Sequence, residues 1–260
     1  MQRREKHRDD RDYDTTQLHE AGHGKTLHRD YSAHFFRWSF ARRFITSKDH
    51  VLEIGCGEDR PLSKILVGTT RHVATYVGVD LNKLRPSAHQ WLAFFGEFNF
   101  VEQHKELLKV RPGGFDVVVH LEVIEHMRVE YGARLLKACH ACLRPGGTML
   151  MSTPCYDGVR HAANHIHEYT VAELAKATKK AGFEVADRFG TFMDLKHIGK
   201  AMVGHVPRIV NGPDAAQFTK QVANVKAALA DYFDGDALSN IFGPLYPDHA
   251  RNNLWVCQKR

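Results

Sequence analysis

The sequence predicts an α/β fold built on a mostly parallel sheet with helices on both faces. Three observations predict it. Short apolar stretches alternate with helical ones through the middle of the chain, the pattern of consecutive β-α units. The stretch FDVVVHLE (115–122) is apolar without alternation at its centre, as a strand buried on both faces must be. VLEIGCGEDR (51–60) runs from an apolar strand through Gly-x-Gly into a helix start, a turn that lets a ligand approach the backbone. The 260 residues give room for one large domain or a domain with an added cap.

Residues 1–24 are polar, with charges of both signs interleaved from Arg3 to Asp14, and read as a disordered tail. Residues 25–49 form an N-terminal segment in which KTLHRDYSAHFFRWSFARRFIT (25–46) reads as a helix. Tyr31, Phe35 and Trp38 fall on one side of it, and Phe36, Phe40 and Phe44 on another. Two roles compete here: packing on the core, and a lid whose Tyr31, His34, Arg37 and Trp38 meet substrate. The core proper spans 50–190. HVLEIG (50–55) is its first strand, with a helix from Pro61. VATYVGVD (73–80) is the second, with a helix from near Pro86. FNFVEQ (98–103) is read as a third strand and FDVVVHLE as a fourth. The helix 129–143 turns Leu135, Leu136, Cys139 and Leu143 inward and is stopped by RPGG (144–147). TMLMSTP (148–154) is the fifth strand. Thr170 and Glu173 then make a capping box for a helix that ends at Gly182, and FEVADRF (183–189) is the sixth strand. Residues 191–250 are too long for a plain connection, and Phe218, Val222, Val225, Leu229 and Tyr232 recur at helical spacing, so a helical cap is expected there. NLWVCQK (253–259), within 251–260, is the last strand.

Composition excludes some classes. With 43% hydrophobic and 25% charged residues the balance is that of a globular protein. No apolar run approaches the roughly 20 residues that span a bilayer. The start, MQRREKHRDD, lacks the apolar centre of a secretory signal, so a cytoplasmic protein with no membrane partner is expected. The five cysteines (Cys56, Cys139, Cys142, Cys155, Cys257) form no disulfide framework, which suits a reducing compartment. Cys139 and Cys142 make a C-x-x-C inside a helical pattern with no second pair, and read as small apolar residues rather than a zinc or redox site. A net charge of +6 permits a polyanionic partner without requiring one. Nothing here sets an oligomeric state.

The chemistry concentrates at strand ends. Gly55 and Gly57 leave room for a ligand against the main chain, and Asp80, closing the second strand, can accept hydrogen bonds from both ribose hydroxyls of an adenosine. Glu53, inside the first strand, tells against an ordinary dinucleotide fold. Glu53-Ile54-Gly55-Cys56-Gly57, VGVD (77–80), FDVVVHLEVIEH (115–126) and LRPGGTMLMSTP (143–154), in that order, resemble the class I S-adenosylmethionine-dependent methyltransferases over roughly residues 50–190. The resemblance implies a Rossmann-like seven-stranded sheet, mostly parallel with an antiparallel last strand. It also implies S-adenosylmethionine as cofactor, held by Glu53, Gly55, Cys56, Gly57, Asp80, Leu81 and Glu122. One departure stands out: the family often has a third glycine where this chain has Asp59.

VHLEVIEHM (119–127) brings Glu122, Glu125 and His126 to the end of a buried strand. Three readings compete. The stretch is the wall between cofactor and substrate, with His126 as a base; or Glu122, Glu125, His126 and a later histidine, His165 or His167, hold manganese or magnesium; or the polar groups are satisfied structurally. E-x-x-E-H together with His165, Glu168, Tyr169 and Thr170 resembles the small-RNA 3′-end 2′-O-methyltransferases, where a metal helps hold the terminal hydroxyls. The wall-and-base reading is the expectation adopted, with no metal and with His126 and His165 as catalytic candidates and His167 behind them. The chain is accordingly expected to methylate an oxygen or nitrogen of a small-molecule acceptor. The alternatives are a nucleic-acid methyltransferase, supported by Arg37, Arg42, Arg43 and the metal set, and an inactive cofactor-binding module.

Overall fold

A computed structural model describes residues 36–58, 61–67, 71–87, 89–156, 158, 162, 164–193, 215–230 and 243–260. The polar tail, Tyr31, His34, Phe35, Asp59 and Tyr232 lie outside the described residues. Helical residues 36–41 (α1) lead into β1 (His50–Ile54), α2 (Pro61–Val67), β2 (Thr75–Val79), β3 (Leu92–Phe95), α3 (Phe100–Val110) and β4 (Phe115–Leu121). A 3-10 turn at Ile124–His126 precedes α4 (Val129–Cys142), β5 (Leu143–Pro154), α5 (Val171–Lys180), β6 (Phe183–Met193), α6 (Ala215–Ala230) and β7 (Ala250–Lys259).

The seven strands form one sheet in the order β3-β2-β1-β4-β5-β7-β6. Every pair from β3 through β5 is parallel, and β7 runs antiparallel to both its neighbours. The sheet therefore has the expected strand number and its antiparallel last strand. Alternation along β4 sorts the core into two layers: Val118 faces Leu135, Leu136 and Met149 under α3, α4 and α5, while Val117 and Val119 face Leu62, Leu66 and Trp38 from α2 and α1. The apolar centre of 115–122 is thus explained by helices on both sides.

The expectation for 98–103 is corrected. Asn99 caps α3 by accepting from the Glu102 amide, and Gln103 reaches back to the Asn99 amide, so Phe100 and Val101 begin a helix rather than extend a strand. The third strand is LAFF (92–95) on the sheet's edge, and the described residues near Pro86 are not helical. β5 also starts earlier than expected. Leu143 pairs with Phe115, and the RPGG stretch lies inside the strand at a register shift, with Gly146 at φ 71°.

The N-terminal segment packs. Phe36, Phe40 and Phe44 form a column with ring centroids 5.6 and 5.9 Å apart, and Phe189 of β6 closes on Phe40 at 4.8 Å. Trp38, Ala41 and Ile45 enter the core. In the 191–250 stretch, α6 is helical as its spacing suggests, with Lys220, Gln221 and Asn224 exposed. Among the described residues no helix is long and apolar enough to cross a membrane.

Candidate active site

The site opens at the C-terminal ends of β1, β2 and β4, where a parallel sheet leaves a crevice between loops that turn opposite ways. After Ile54 the chain turns through Gly55 (φ 71°) and Gly57 (φ 66°), conformations that favour glycine. The turn is tied to β2: the Gly55 amide donates to Val79 O at 2.9 Å, and the Gly57 amide donates to Asp80 Oδ2 at 2.9 Å. Asp80 Oδ1 accepts from both the backbone and the side-chain nitrogen of Asn82, each at 2.9 Å. A Cβ on Gly57 would meet nothing within 4 Å, whereas one on Gly55 would stand 2.7 Å from Val123 Cγ2. One glycine faces open space and the other backs onto the wall.

The cleft between these turns encloses about 910 Å³ with the open solvent at its mouth included. Its apolar lining includes Ile54, Val79, Phe98, Val101, Tyr131 and Leu135. Gly55, Gly57, Asp80, Leu81, Glu122 and His126 line the rest. Of the candidate site residues singled out in the sequence, Glu53, Cys56, Glu125, His165 and His167 stand outside this lining. Cys56 is buried behind it. The α3 and α4 contribution (Val101, Tyr131, Leu135) and Asn99 were not anticipated, although the N-x-x-E cap at 99–102 marks where α3 begins.

Glu53 points to the opposite face from Ile54, where the Tyr76 hydroxyl donates to its Oε2. Burial, reinforced by Asp80 and opposed by the Tyr76 bond, pushes its carboxyl up to about 8. The native state therefore keeps a proton that the unfolded chain releases above its ordinary 4.5, so stability is fully present below that value and falls as pH rises towards about 8. Glu53→Gln keeps an oxygen for Tyr76 and has no proton to lose. Its melting temperature is expected to fall less than the wild type's between pH 5 and 8, with the largest gain at pH 8, measured by thermal melts across that range.

Glu122 adopts φ 57°, rare for a side-chain-bearing residue and a mark of local strain. Ser152 Oγ donates to its Oε1 at 2.7 Å and Asn252 Nδ2 to its Oε2 at 2.6 Å, while Arg37 Nε stands 3.6 Å from Oε1. Arg37 is only 3% exposed and Arg42 is half-buried, while Arg43 is exposed. Glu125 is fully buried. Thr153 Oγ1 donates to its Oε2 at 3.0 Å, its Oε1 has no hydrogen-bond partner among the described residues, and burial followed by the nearby Glu122 pushes its carboxyl well above the ordinary range. His126 and His165 meet edge to face, 5.1 Å between centroids. Glu125, His126 and His165 each offer a donor atom, all within 4.8 Å of one another. Glu122 is engaged elsewhere and does not join that group, and His167 packs edge-on against Tyr169 at 4.5 Å. Cys139 and Cys142 are buried thiols raised by burial, Cys142 to about 12, as suits apolar packing.

Residues 28–187 match the family model described as a methyltransferase domain. The chain is also 31% identical, over 71% of its own length and 73% of the relative's, to a probable S-adenosylmethionine-dependent methyltransferase of Mycolicibacterium smegmatis. The chain belongs to the S-adenosylmethionine-dependent methyltransferases. A ubiquinone biosynthesis O-methyltransferase of Nitrosococcus oceani is 32% identical over 40% of this methyltransferase and 42% of its own length, so that match spans under half of the relative. The fold is shared with a SAM-dependent methyltransferase from Archaeoglobus fulgidus, at a TM-score of 0.54 and 14% identity over 90% of this chain and 95% of that one. The methyltransferase is thus an enzyme whose crevice lies where the strand order of its own sheet reverses, between β1 and β4.

Proposed function

We propose that this methyltransferase moves the methyl group of S-adenosylmethionine to an oxygen or nitrogen of a small-molecule acceptor, with His126 receiving the acceptor's proton. The observation carrying this reading is that His126 lines the cleft beside Glu122, with the His165 ring against it. The residues fit the cofactor. The open space over Gly57 admits a ligand against the backbone, the apolar side chains of the lining suit an adenine ring, and the Asp80 carboxylate, 8% exposed, suits two ribose hydroxyls. Leu81 would flank the ribose, Gly55 and Gly57 the amino-acid end, and Glu122 the wall facing the acceptor. Glu53 and Cys56 would support the turn from behind.

When bound, the cofactor supplies an already activated sulfonium methyl. The chain's task is then to align the acceptor, exclude water and remove one proton. Helix α1 is proposed to border the acceptor side, a reading supported by Arg37 reaching Glu122 from it. An oxygen acceptor draws support from the partial likeness to ubiquinone biosynthesis O-methyltransferases. Methyl-labelled S-adenosylmethionine, incubated with the protein and a cell extract with and without chelator, tests the reading. Label in small molecules, indifferent to chelator, is expected. Label in RNA or DNA that chelator abolishes would replace it with metal-assisted transfer centred on Glu125, His126 and His165.

A further inference from the structure

The segment after β5 is held by hydrogen bonds that set two imidazoles alike. Glu168 is 7% exposed, and its Oε1 accepts from the Ala162 amide at 2.9 Å while pairing with His165 Nδ1 at 2.5 Å. One residue before His165, the backbone oxygen of Asn164 pairs with His126 Nδ1 at 3.2 Å. The amides of Ile166 and His167 donate to Glu125 O at 2.9 and 3.0 Å, docking the segment onto the 3-10 turn that carries His126. The two rings then stand nearly perpendicular, at 79°.

A carboxylate or carbonyl oxygen accepts a hydrogen bond and cannot donate one, so the hydrogen in each pair belongs to Nδ1. In a neutral imidazole that places the lone pair on Nε2. We propose that Glu168 is a positioning residue for the transfer reaction: it holds His165 as the Nδ1–H tautomer beside His126, so that the two Nε2 lone pairs form one proton-receiving unit. The proposal rests on the small-molecule reading above. With an alcohol as acceptor, the O–H bond breaks and its proton passes to His126 Nε2. The oxygen's electron pair forms the new C–O bond, the methyl–sulfur bond breaks with its pair left on sulfur, and the positive charge passes from sulfonium to imidazolium. Glu168 and His165 then lie next to that new charge. A residue that merely stapled the turn would need only to hold the Ala162 amide.

Histidine-selective ¹⁵N NMR on the full chain, with His165→Gln to assign the ring, decides the matter. The wild type is expected to show His165 protonated at Nδ1 and bare at Nε2, and Glu168→Ala to shift the ring towards the Nε2–H form. A wild-type ring protonated at Nε2, or a tautomer unmoved in Glu168→Ala, would overturn the proposal; should Glu168→Ala fail to fold, the wild-type spectrum decides alone. Glu168→Gln keeps an oxygen for Ala162 but loses the charge. It is expected to transfer label to the small-molecule fraction of a cell extract about 10- to 100-fold more slowly, with S-adenosylmethionine affinity unchanged. An unchanged transfer rate would leave Glu168 as a staple only and overturn its part in the reaction. A wild-type protein that labels nothing in that fraction fails the acceptor reading instead, and the spectrum still shows whether Glu168 sets the ring.

Discussion

Gly55→Ala is expected to lower the melting temperature by roughly 5–10 °C and to weaken S-adenosylmethionine binding at least tenfold, through two separable penalties. At φ 71° an alanine pays about 1–2 kcal/mol of backbone strain. Its Cβ also sits 2.7 Å from Val123 Cγ2, where overpacking adds about 1–3 kcal/mol. Trimming Val123 to alanine alongside it removes the second penalty and leaves the first, so the double variant should recover part of the lost stability but not all. Gly57→Ala makes the contrast. Its φ of 66° carries the backbone cost, yet nothing lies within 4 Å of the added methyl, which therefore projects into ligand space. It should lose less stability than Gly55→Ala and comparable affinity, measured by thermal melts and calorimetric titration. Equal melting temperatures for the two variants would contradict the packing argument.

Asp80→Asn is expected to cost on the order of 100-fold in S-adenosylmethionine affinity, although asparagine has nearly the same shape. Both carboxylate oxygens are already accepting: Oδ2 from Gly57, Oδ1 twice from Asn82. An amide turned either way sets an NH₂ group against one of these donors, and hydrogen bonds to a charged group are worth about 1.5–3 kcal/mol each. The loss should appear in binding of both S-adenosylmethionine and S-adenosylhomocysteine, because the ribose is common to them. A variant that binds the two with wild-type affinity would remove Asp80 from the cofactor site.

The parts of this molecule that follow from neighbouring residues were legible in the chain. The β1 turn, the doubly buried β4 and the Thr170–Glu173 cap of α5 each depend on a few adjacent side chains, and all three stand where the pattern put them. β3 was misread for a local reason as well. Phe98 and Phe100 alternate as a strand's would, but Phe100, Val101 and Leu107 make a helix's inner face, and the Asn99 cap decides for the helix. The surroundings of Glu122 could not be read at all. Arg37 reaches it from α1, and Asn252 reaches it because β7 pairs with β5 in the register Pro154↔Asn252. That register is set by the packing of the whole sheet, not by any residue near position 122. The side on which Glu53 faces likewise became plain only with Tyr76 in place.

The insertion of β7 between β5 and β6 fixes the order in which the enzyme can be assembled as it is made. The parallel stretch β3-β2-β1-β4-β5 has all its neighbours once residue 154 has emerged, but β6 has no partner in the sheet until residues 250–259 follow. During that interval the outer edge of β5 is bare, and Glu122 lacks Asn252. A nascent chain paused between residues 193 and 250 is therefore the form exposed to strand-edge association and to chaperone capture. The closing strand both caps that edge and delivers the asparagine that completes the pocket wall.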